Sequence, residues 1–557
     1  MKKNYIVPCI ILFLLLAFQA YAQDYNYYNN LAKQEKENKN YYKVIDYANE
    51  SLKLYPNGTA YWWRALARYN LNNFEDAEKD YTTALSYYSS NTDLSNLYCN
   101  RGDCWYQLKL YTSALSDYKL ADSYGYEDKL YIKWSIAGCY YGLGDNANAV
   151  DAYTAAIGYA SKSSDLASLY KFRGDCYVDM LQYDKAISDF SSAVYYNPEF
   201  IKAYWQRAYC YGKTFEYEKA LQDCQSAIDI SEKQSGSNTD LAILYNNRSY
   251  YNNQLGKSDQ AVKDGLKSTQ LDPTYGKGFW TYASALEATN QKTEAIKNYI
   301  QATQLITDNY SKAQCYKDLI SLEESLLLYG NAIKHCNEAI NTNPDYKWLF
   351  WERGWLYAYK KDYTKALADY DKTATLYSND TFSLQSIYDE RGKIKAKLNN
   401  YPGAIKDFQA AITLNPKSLY GYEELGRFYK YDLKSKELAD MNFKKIMDDD
   451  MKDDTCNRYS YSAALMGKLD EAVQNQNRII AKSNGDLKII SREYYNLACI
   501  YAICNNPLKA IETLDKAFAT GYENYDHMYN DVDFDKIRAL PQFKALLVKY
   551  HVPSIVY

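Results

Sequence analysis

Few side chains in this sequence of 557 residues have the types and spacing that catalysis or metal binding requires. The three histidines, His335, His527 and His551, are far apart and lack the spacing of metal ligands. The Gly-Lys-Thr at residues 212–214 has Arg207 where a phosphate-binding loop needs its first glycine. The carboxylates are spread over the whole chain, as on solvated helix faces, and no nucleophile elbow is present. We therefore expect no enzyme activity, no catalytic residue, no metal and no cofactor.

The residues that do recur at fixed spacing belong to a repeat with a period of about 34 residues. We number the repeat so that its most regular small residue is position 20. This numbering gives fourteen units, and their position-20 residues are Val44, Ala77, Ala114, Ala149, Ala186, Ala220, Ala261, Ala295, Ala332, Ala366, Ala404, Ala439, Ala472 and Ala510.

Within each unit the apolar and small residues fall on two stripes. Positions 4, 8 and 11 share one face of a first helix, and positions 20, 24 and 27 share one face of a second. Position 8 is small, as at Gly102 and Gly174, and position 24 is often aromatic, as at Tyr118 and Phe190. One hairpin cannot bury its stripe alone, so the units must stack. Short and long intervals between units alternate, so the copied unit is two hairpins of about 72 residues together.

The order of aromatic, small residue, Ala, aromatic and closing Pro resembles the tetratricopeptide repeat (TPR) over roughly residues 24–520. The resemblance implies an all-α fold, an α-α superhelical solenoid of about 14 hairpins. It also implies a non-enzymatic scaffold that binds protein or peptide. Ile320 and Arg427 stand where position 8 needs a small residue, so we expect looser or shifted packing there.

The residues after the last repeat, 531–552, resemble the segment that follows the final repeat in many bacterial members of this family. They combine acidic residues, an apolar-x-x-apolar-Arg pattern and Pro-x-Phe. A polar-backed helix of this kind covers the apolar end of a stacked array. We therefore expect a signal peptide at residues 1–22, the solenoid at 23–519 and a C-terminal helical cap at 520–557.

Position 5, the neighbour of the core aromatic, is Trp in every second unit from the second to the tenth. These are Trp62, Trp134, Trp205, Trp280 and Trp351, and Trp348 and Trp355 extend the same face of the tenth unit. In solenoids of the resembled family this stripe lines the concave groove, which makes the seven residues candidates for binding a protein or peptide. Two alternatives stay open: the rings wedge between neighbouring first helices, or they stack on the sugars of a carbohydrate or peptidoglycan ligand. Polar residues at this position in the odd units favour a ligand over a wedge.

Positions 7 and 23 of the repeat vary together. Position 7 is Arg and position 23 is Asp in the same seven units, which gives Arg64 with Asp80, Arg101 with Asp117, Arg173 with Asp189, Arg207 with Asp223, Arg248 with Asp264, Arg353 with Asp369, and Arg391 with Asp407. Both positions lie about eight residues from the turn, at the same height on facing helices. We expect a structural ion pair in each hairpin, so we do not count these arginines as ligand-binding residues.

The N-terminal residues have the pattern of a leader. Lys2 and Lys3 precede an apolar run, and the small-x-small residues 20–22 precede Gln23. We expect cleavage there, export to the periplasm or the outside, and no membrane insertion afterwards. The partner is expected at the bacterial envelope, and a glycan is possible.

The net charge limits the classes of partner, and the positions of the cysteines indicate whether disulfides can form. The net charge is −4 and no run of Lys or Arg occurs, so no nucleic-acid partner is expected. Cys104, Cys139, Cys176 and Cys210 all stand at position 10. Equivalent positions of stacked units are about 10 Å apart, too far for disulfides, so we expect buried thiols.

Overall fold

The computed structural model describes residues 25–450, 457–483 and 485–552. The described residues are almost entirely helical and contain no strand, which confirms the all-α class. Fourteen hairpins follow one another, each made of a first and a second helix, and we number them 1–14 in chain order. The expected signal peptide at 1–22 lies outside the described residues.

The hairpins fall into two compact units, one ending at Ile306 and one beginning at Thr307. The first unit holds hairpins 1–8: α1 (residues 25–37), α2 (Tyr41–Leu54), α3 (Gly58–Asn70), α4 (Phe74–Leu85), α5 (Asn91–Gln107), α6 (Tyr111–Ser123), α7 (Lys129–Gly142), α8 (Asn146–Ile157), α9 (Ser163–Asp179), α10 (Tyr183–Tyr196), α11 (Ile201–Lys213), α12 (Tyr217–Lys233), α13 (Asn238–Gln254), α14 (Ser258–Leu271), α15 (Gly276–Ala288) and α16 (Lys292–Leu305).

The second unit holds hairpins 9–14 and the C-terminal segment. Its helices are α17 (Asn309–Ser325), α18 (Tyr329–Thr342), α19 (Lys347–Tyr359), α20 (Tyr363–Leu376), α21 (Thr381–Lys397), α22 (Tyr401–Leu414), α23 (Leu419–Tyr431), α24 (Lys436–Asp450), α25 (Asn457–Leu465), α26 (Leu469–Lys482), α27 (Leu487–Ile503), α28 (Pro507–Ala519), α29 (Tyr525–Asn530) and α30 (Pro541–Lys549), with a 3₁₀ turn at Val532–Phe534 before α30.

The turn inside every hairpin has the same backbone geometry. The residue at position 15 has a φ between 53° and 82° in all fourteen hairpins, as at Asn72, Gly144 and Asn399. This left-handed conformation ends the first helix, and a polar side chain then often caps the second. Asn73, for example, accepts a hydrogen bond from the backbone N–H of Asp76. The repeated turn explains why asparagine and glycine recur at this point of the sequence.

The two helices of a hairpin approach closely where position 8 is small. A Cβ atom added to Gly174 would lie 2.7 Å from the ring of Phe190, and one added to Gly102 would lie 2.9 Å from the ring of Tyr118. The aromatic side chain of position 24 therefore fills the space that the missing side chain leaves. Burial of these rings and of the surrounding alanines supplies the main stabilisation of each hairpin.

Hairpin 12 shows the shifted packing expected around Arg427. Gly426, not residue 427, packs against the ring of position 24, because a Cβ atom on Gly426 would lie 2.6 Å from Phe443. The register of α23 is thus displaced by one residue, and Arg427 takes position 9 instead of position 8. Its side chain is consequently directed away from the hairpin core.

The C-terminal segment closes one side of the last hairpin. Met528, Phe534, Phe543 and Leu546 are buried in one apolar cluster with residues of α27 and α28. The four cysteines of position 10 are buried free thiols. Burial raises the pKa of Cys139, Cys176 and Cys210 to about 12, which keeps them protonated at neutral pH.

Candidate functional site

Each of the seven arginines at position 7 forms a two-pronged contact with the aspartate at position 23 of its own hairpin. The guanidinium Nε and Nη2 atoms each donate to one carboxylate oxygen. The N–O distances are 2.6–2.9 Å in the pairs Arg64–Asp80, Arg101–Asp117, Arg173–Asp189, Arg207–Asp223, Arg248–Asp264, Arg353–Asp369 and Arg391–Asp407. The aspartates are buried and the arginines half-buried. We call this arrangement the Arg–Asp clamp.

The same arginines also reach the preceding hairpin. In all seven clamps the remaining nitrogen, Nη1, donates to the side chain at position 25 of the hairpin before, namely Asn49, Thr82, Thr154, Ser191, Gln225, Asn337 or Asp371. Each guanidinium further lies 4.9–5.6 Å from the centre of the aromatic ring at position 4 of its own helix. All three nitrogen atoms of each guanidinium thereby donate a hydrogen bond within the array.

The acceptor at position 25 is the part of the clamp that the sequence analysis missed. Its signal is present in the sequence, because a hydrogen-bonding side chain precedes each arginine by one hairpin. Where position 7 is apolar, as at Ile136, the preceding position 25 is Lys119, which cannot accept a hydrogen bond. Comparison of neighbouring repeats, in addition to positions within one repeat, would have found it.

The tryptophans of position 5 have different surroundings. Trp134 lies 6.3 Å from Phe172 of the next first helix, which is the geometry of a wedge. Trp62 and Trp351 pack edge-on against Tyr88 and Tyr370 of their own hairpins, at 5.4 and 5.5 Å. These three rings therefore serve packing in the structure.

Two other tryptophans of the set are more accessible. Trp205 and Trp355 are each 38% exposed. Trp348 is half-buried with the Lys317 ammonium 5.7 Å from its ring, and Trp280 is also half-buried. Trp355 lies beside Tyr329 and Tyr359, at 6.3 and 5.7 Å.

Trp205 and Tyr209 on α11 form an exposed aromatic surface on a first helix of the first unit. The two residues are four apart, so their side chains lie on one helix face. Tyr209 is 39% exposed, and Tyr250, at the same repeat position one hairpin later, is also exposed. Tyr209 was not among the sequence candidates, although its spacing from Trp205 could have indicated it. We call Trp205 and Tyr209 the aromatic platform.

Polar groups with fixed positions flank the aromatic platform. Asp175 on α9 is buried, its Oδ2 lies 2.6 Å from Lys171 Nζ, and its Oδ1 accepts a hydrogen bond of 3.1 Å from Gln206. Burial raises the pKa of Asp175, and Lys171 acts against this rise. On the other side, Oδ1 of the buried Asn246 on α13 has no hydrogen-bond partner among the described residues. Lys171 and Gln206 thus supply hydrogen-bond donors beside the ring faces.

Two other places in the structure hold side chains of the types that bind metals or exchange protons. The ligand atoms of Cys499, Asp531 and Asp533 lie within 4.8 Å of one another and could reach one metal ion. However, Asp531 accepts a hydrogen bond of 2.7 Å from the Tyr495 hydroxyl, and Asp533 pairs with Arg427 at 3.1 Å. Their carboxylates therefore already have protein partners.

A buried carboxyl group lies at position 5 of hairpin 11. Asp389 is fully buried, and neither of its carboxylate oxygens has a hydrogen-bond partner within the described ranges. Burial, with the nearby Glu424, raises the pKa of Asp389 to about 7. Its titration therefore falls in the neutral range.

None of the helices that the structure describes combines the length and apolarity needed to cross a bilayer.

Family models for the tetratricopeptide repeat match residues 64–128, 201–234 and 385–418. A search of curated proteins finds no match. Among solved structures, the C-terminal part of a TPR repeat-containing protein from Cytophaga hutchinsonii is 20% identical, with a TM-score of 0.41 over 45% of this chain and 98% of that one. A tetratricopeptide repeat protein from Parabacteroides merdae is 18% identical, with a TM-score of 0.36 over 48% and 98% of the two chains.

A third solved structure is YrrB, described as a TPR protein with an unusual peptide-binding site. It is 21% identical, with a TM-score of 0.29 over 34% of this chain and 92% of that one. The three family-model matches fall in hairpins 2–3, 6 and 11, and the same hairpin geometry recurs through the fourteen hairpins. The chain therefore contains tetratricopeptide repeats, which the family models match at hairpins 2–3, 6 and 11.

Proposed function

We propose that this chain is a non-enzymatic scaffold that binds an extended peptide segment of a partner protein on the first-helix face of its first unit. Tetratricopeptide repeats generally form scaffolds that bind proteins or peptides. The observation that carries the proposal is the aromatic platform, two large rings that are more than a third exposed on a first helix. Rigid aromatic side chains of this kind are frequent anchors of protein interfaces.

The polar groups beside the platform favour a peptide over a sugar. A peptide in an extended conformation presents backbone N–H and C=O groups between its side chains. Lys171 and Gln206 can donate to such a C=O group. Sugar recognition on ring faces would leave the Lys171–Asp175 ion pair without a role. A carbohydrate or peptidoglycan ligand remains the alternative, because the same rings can stack on pyranose faces.

A peptide library tests the proposal. We expect display selection on the chain without residues 1–22 to yield peptides that bind it and bind a Trp205→Ala/Tyr209→Ala variant at least about tenfold more weakly. Tyr42→Ala is the matched control, since Tyr42 is 72% exposed on the second helix of hairpin 1. A glycan array is run in parallel with the same three proteins.

The outcomes separate the candidates. Peptides that bind all three proteins equally would refute the platform as the site. Recovery of no peptide, together with a glycan that binds the unmutated chain and not the double variant, would establish the carbohydrate alternative. Circular dichroism must show the same helix content for all three proteins, so that lost binding reports the surface.

We further propose that the chain is exported and acts at the bacterial envelope. The proposal rests on the basic, apolar and small-residue pattern of residues 2–22. Expression of the full sequence in a Gram-negative bacterium should release a protein that begins at Gln23 into the periplasm or medium. Retention of Met1 in the cytoplasmic fraction would refute this part of the proposal.

A further inference from the structure

A cavity of about 710 Å³ lies inside the second unit, outside the aromatic platform. Residues of α21, α23 and α27 line it, and residues 532–536 of the C-terminal segment close one side. Ala396 and Ala502 stand at position 12, and Lys393 stands at position 9. With the displaced register of α23, Arg427 and Lys430 also occupy positions 9 and 12. The cavity is therefore built from the stripe that carries the platform in the first unit.

The C-terminal segment shows what chemistry this stripe binds. Residues 531–535 read Asp-Val-Asp-Phe-Asp, an alternation of acidic and apolar side chains. Asp531 accepts a hydrogen bond of 2.7 Å from Tyr495 on α27, and Asp533 pairs with Arg427 on α23 at 3.1 Å. Phe534 is fully buried between them. The first helices of hairpins 12 and 14 thus hold an acidic and apolar segment of their own chain.

The remaining cavity has a surplus of positive charge. Lys393 is neutralised by Glu390 and Glu424, at 3.0 and 3.1 Å. In contrast, Lys397, Lys430 and Lys536 form no ion pair with a carboxylate in the described part of the chain. A single acid, Asp432, stands on the rim beside them without a described cation.

Lys430 is the most informative of the three lysines. Its Nζ donates to the backbone carbonyl of Leu465, and the side chain is half-buried. Burial lowers the pKa of Lys430, and the nearby Asp440 and Asp533 oppose this only in part. The exposed apolar side chains of the lining include Tyr431 and Val532, which are 46% and 57% exposed. An occupant that carries both carboxylates and an apolar side chain would satisfy these lysines and cover these two side chains.

We propose that this cavity binds an acidic and partly apolar peptide segment of a partner protein, alongside residues 532–536. The carboxylates of the segment contact Lys397, Lys430 and Lys536, and an apolar side chain covers Tyr431 and Val532. The inference rests on the proposed function as a peptide-binding scaffold, and it adds the chemical class of a ligand and a second site.

The test uses five-residue peptides with Asp or Glu at alternate positions and apolar residues between them, acetylated and amidated at their ends and labelled with a fluorophore. Anisotropy is measured on the chain without residues 1–22. We expect binding that weakens with added salt. In Lys397→Gln/Lys430→Met/Lys536→Gln the affinity should fall by about tenfold or more, since three ion pairs are lost. Lys444→Gln on α24, an exposed lysine on a second helix, is the matched control.

Several results would overturn the inference. Absence of binding, equal affinity for the triple variant, or equal affinity for peptides with Asn and Gln in place of the acids would each do so. The Trp205→Ala/Tyr209→Ala variant separates this inference from the proposed function. If that variant loses the acidic peptides while the lysine variant retains them, the peptide-binding scaffold stands and the cavity is not the site.

Discussion

The Arg–Asp clamp of hairpin 6 allows a stability prediction with a control inside the same hairpin. Both oxygens of Asp223 accept hydrogen bonds from Arg207, at 2.8 and 2.7 Å, and Asp223 is only 5% exposed. Replacing Arg207 by Met leaves a buried carboxylate without its cation. Removal of one member of a buried pair costs about 3–5 kcal/mol, so we expect a local destabilisation of this size. Asp223→Asn should cost a similar amount, because it leaves the guanidinium half-buried and without its carboxylate partner.

A double-mutant cycle isolates the pair from the other contacts of the arginine. Arg207 also lies over the ring of Tyr204 and donates to Ser191. These contacts are lost in both arms of the cycle that remove Arg207, so they cancel. We expect a coupling energy of about 2–3 kcal/mol between Arg207→Met and Asp223→Asn.

Hydrogen exchange measured by mass spectrometry is the appropriate assay, because a repeat array can open one part at a time. The free energy of local opening is read from the amides of α11 and α12. The matched cycle uses Lys219 and Glu216, an exposed ion pair in the same hairpin, whose coupling should be much weaker because solvent screens it. A coupling for Arg207 and Asp223 that does not exceed this control would refute the reasoning.

Two further changes test the buried acid and the close helix approach. Asp389 holds its proton more tightly in the folded than in the unfolded state. The free energy of unfolding should therefore fall as the pH rises from about 4 to about 7. Asp389→Asn should remove up to about 4 kcal/mol of this fall. Parallel pH profiles of the two proteins in urea unfolding would contradict this. Gly174→Ala places a Cβ atom 2.7 Å from Phe190 and should lower the free energy of unfolding by about 1–3 kcal/mol. Gly330→Ala in α18 places its Cβ atom with no other atom within 4 Å, so it should raise the free energy of unfolding by up to about 1 kcal/mol. Equal melting temperatures for the two alanine variants would refute the packing argument.

The repeat spacing predicts the helices and the hairpins because both depend on local periodicity. Position 8 faces position 24 wherever the turn has its usual length, so the approach of Gly102 to Tyr118 follows from sequence alone. Hairpin 12 departs from this, since Gly426 takes the place that counting back from Ala439 assigns to Arg427. A fixed spacing cannot detect an additional residue in a turn. The position of Arg427 on α23 and its ion pair with Asp533 therefore required coordinates.

The environment of each tryptophan also required coordinates. Position 5 lies at the border between the core stripe and the open face, so the neighbouring side chain decides whether the ring is covered. Trp134 is covered by Phe172 of the next hairpin, whereas Trp205 keeps 38% of its surface exposed. The same residue type at the same repeat position thus has two environments.

The contact between each clamp and the preceding hairpin has a mechanical consequence. In the first unit, Nη1 of Arg64 and Arg101 joins hairpins 1, 2 and 3, and Nη1 of Arg173, Arg207 and Arg248 joins hairpins 4 to 7. Between hairpins 3 and 4, position 7 is Ile136, which has no N–H group in its side chain.

A force that pulls on the two ends of this unit would therefore act on junctions between hairpins that differ in their contacts. The clamped hairpins resist separation through a hydrogen bond from a guanidinium at each junction. The junction between hairpins 3 and 4 is held instead by apolar packing, by the Lys133–Asp122 ion pair at 2.7 Å, and by a hydrogen bond of 2.7 Å from the Tyr131 hydroxyl to Asp103. Junctions with and without a clamp would separate at different forces, so the unit would extend in blocks of several hairpins. The distribution of the five clamps along the first unit thereby affects how it lengthens under tension.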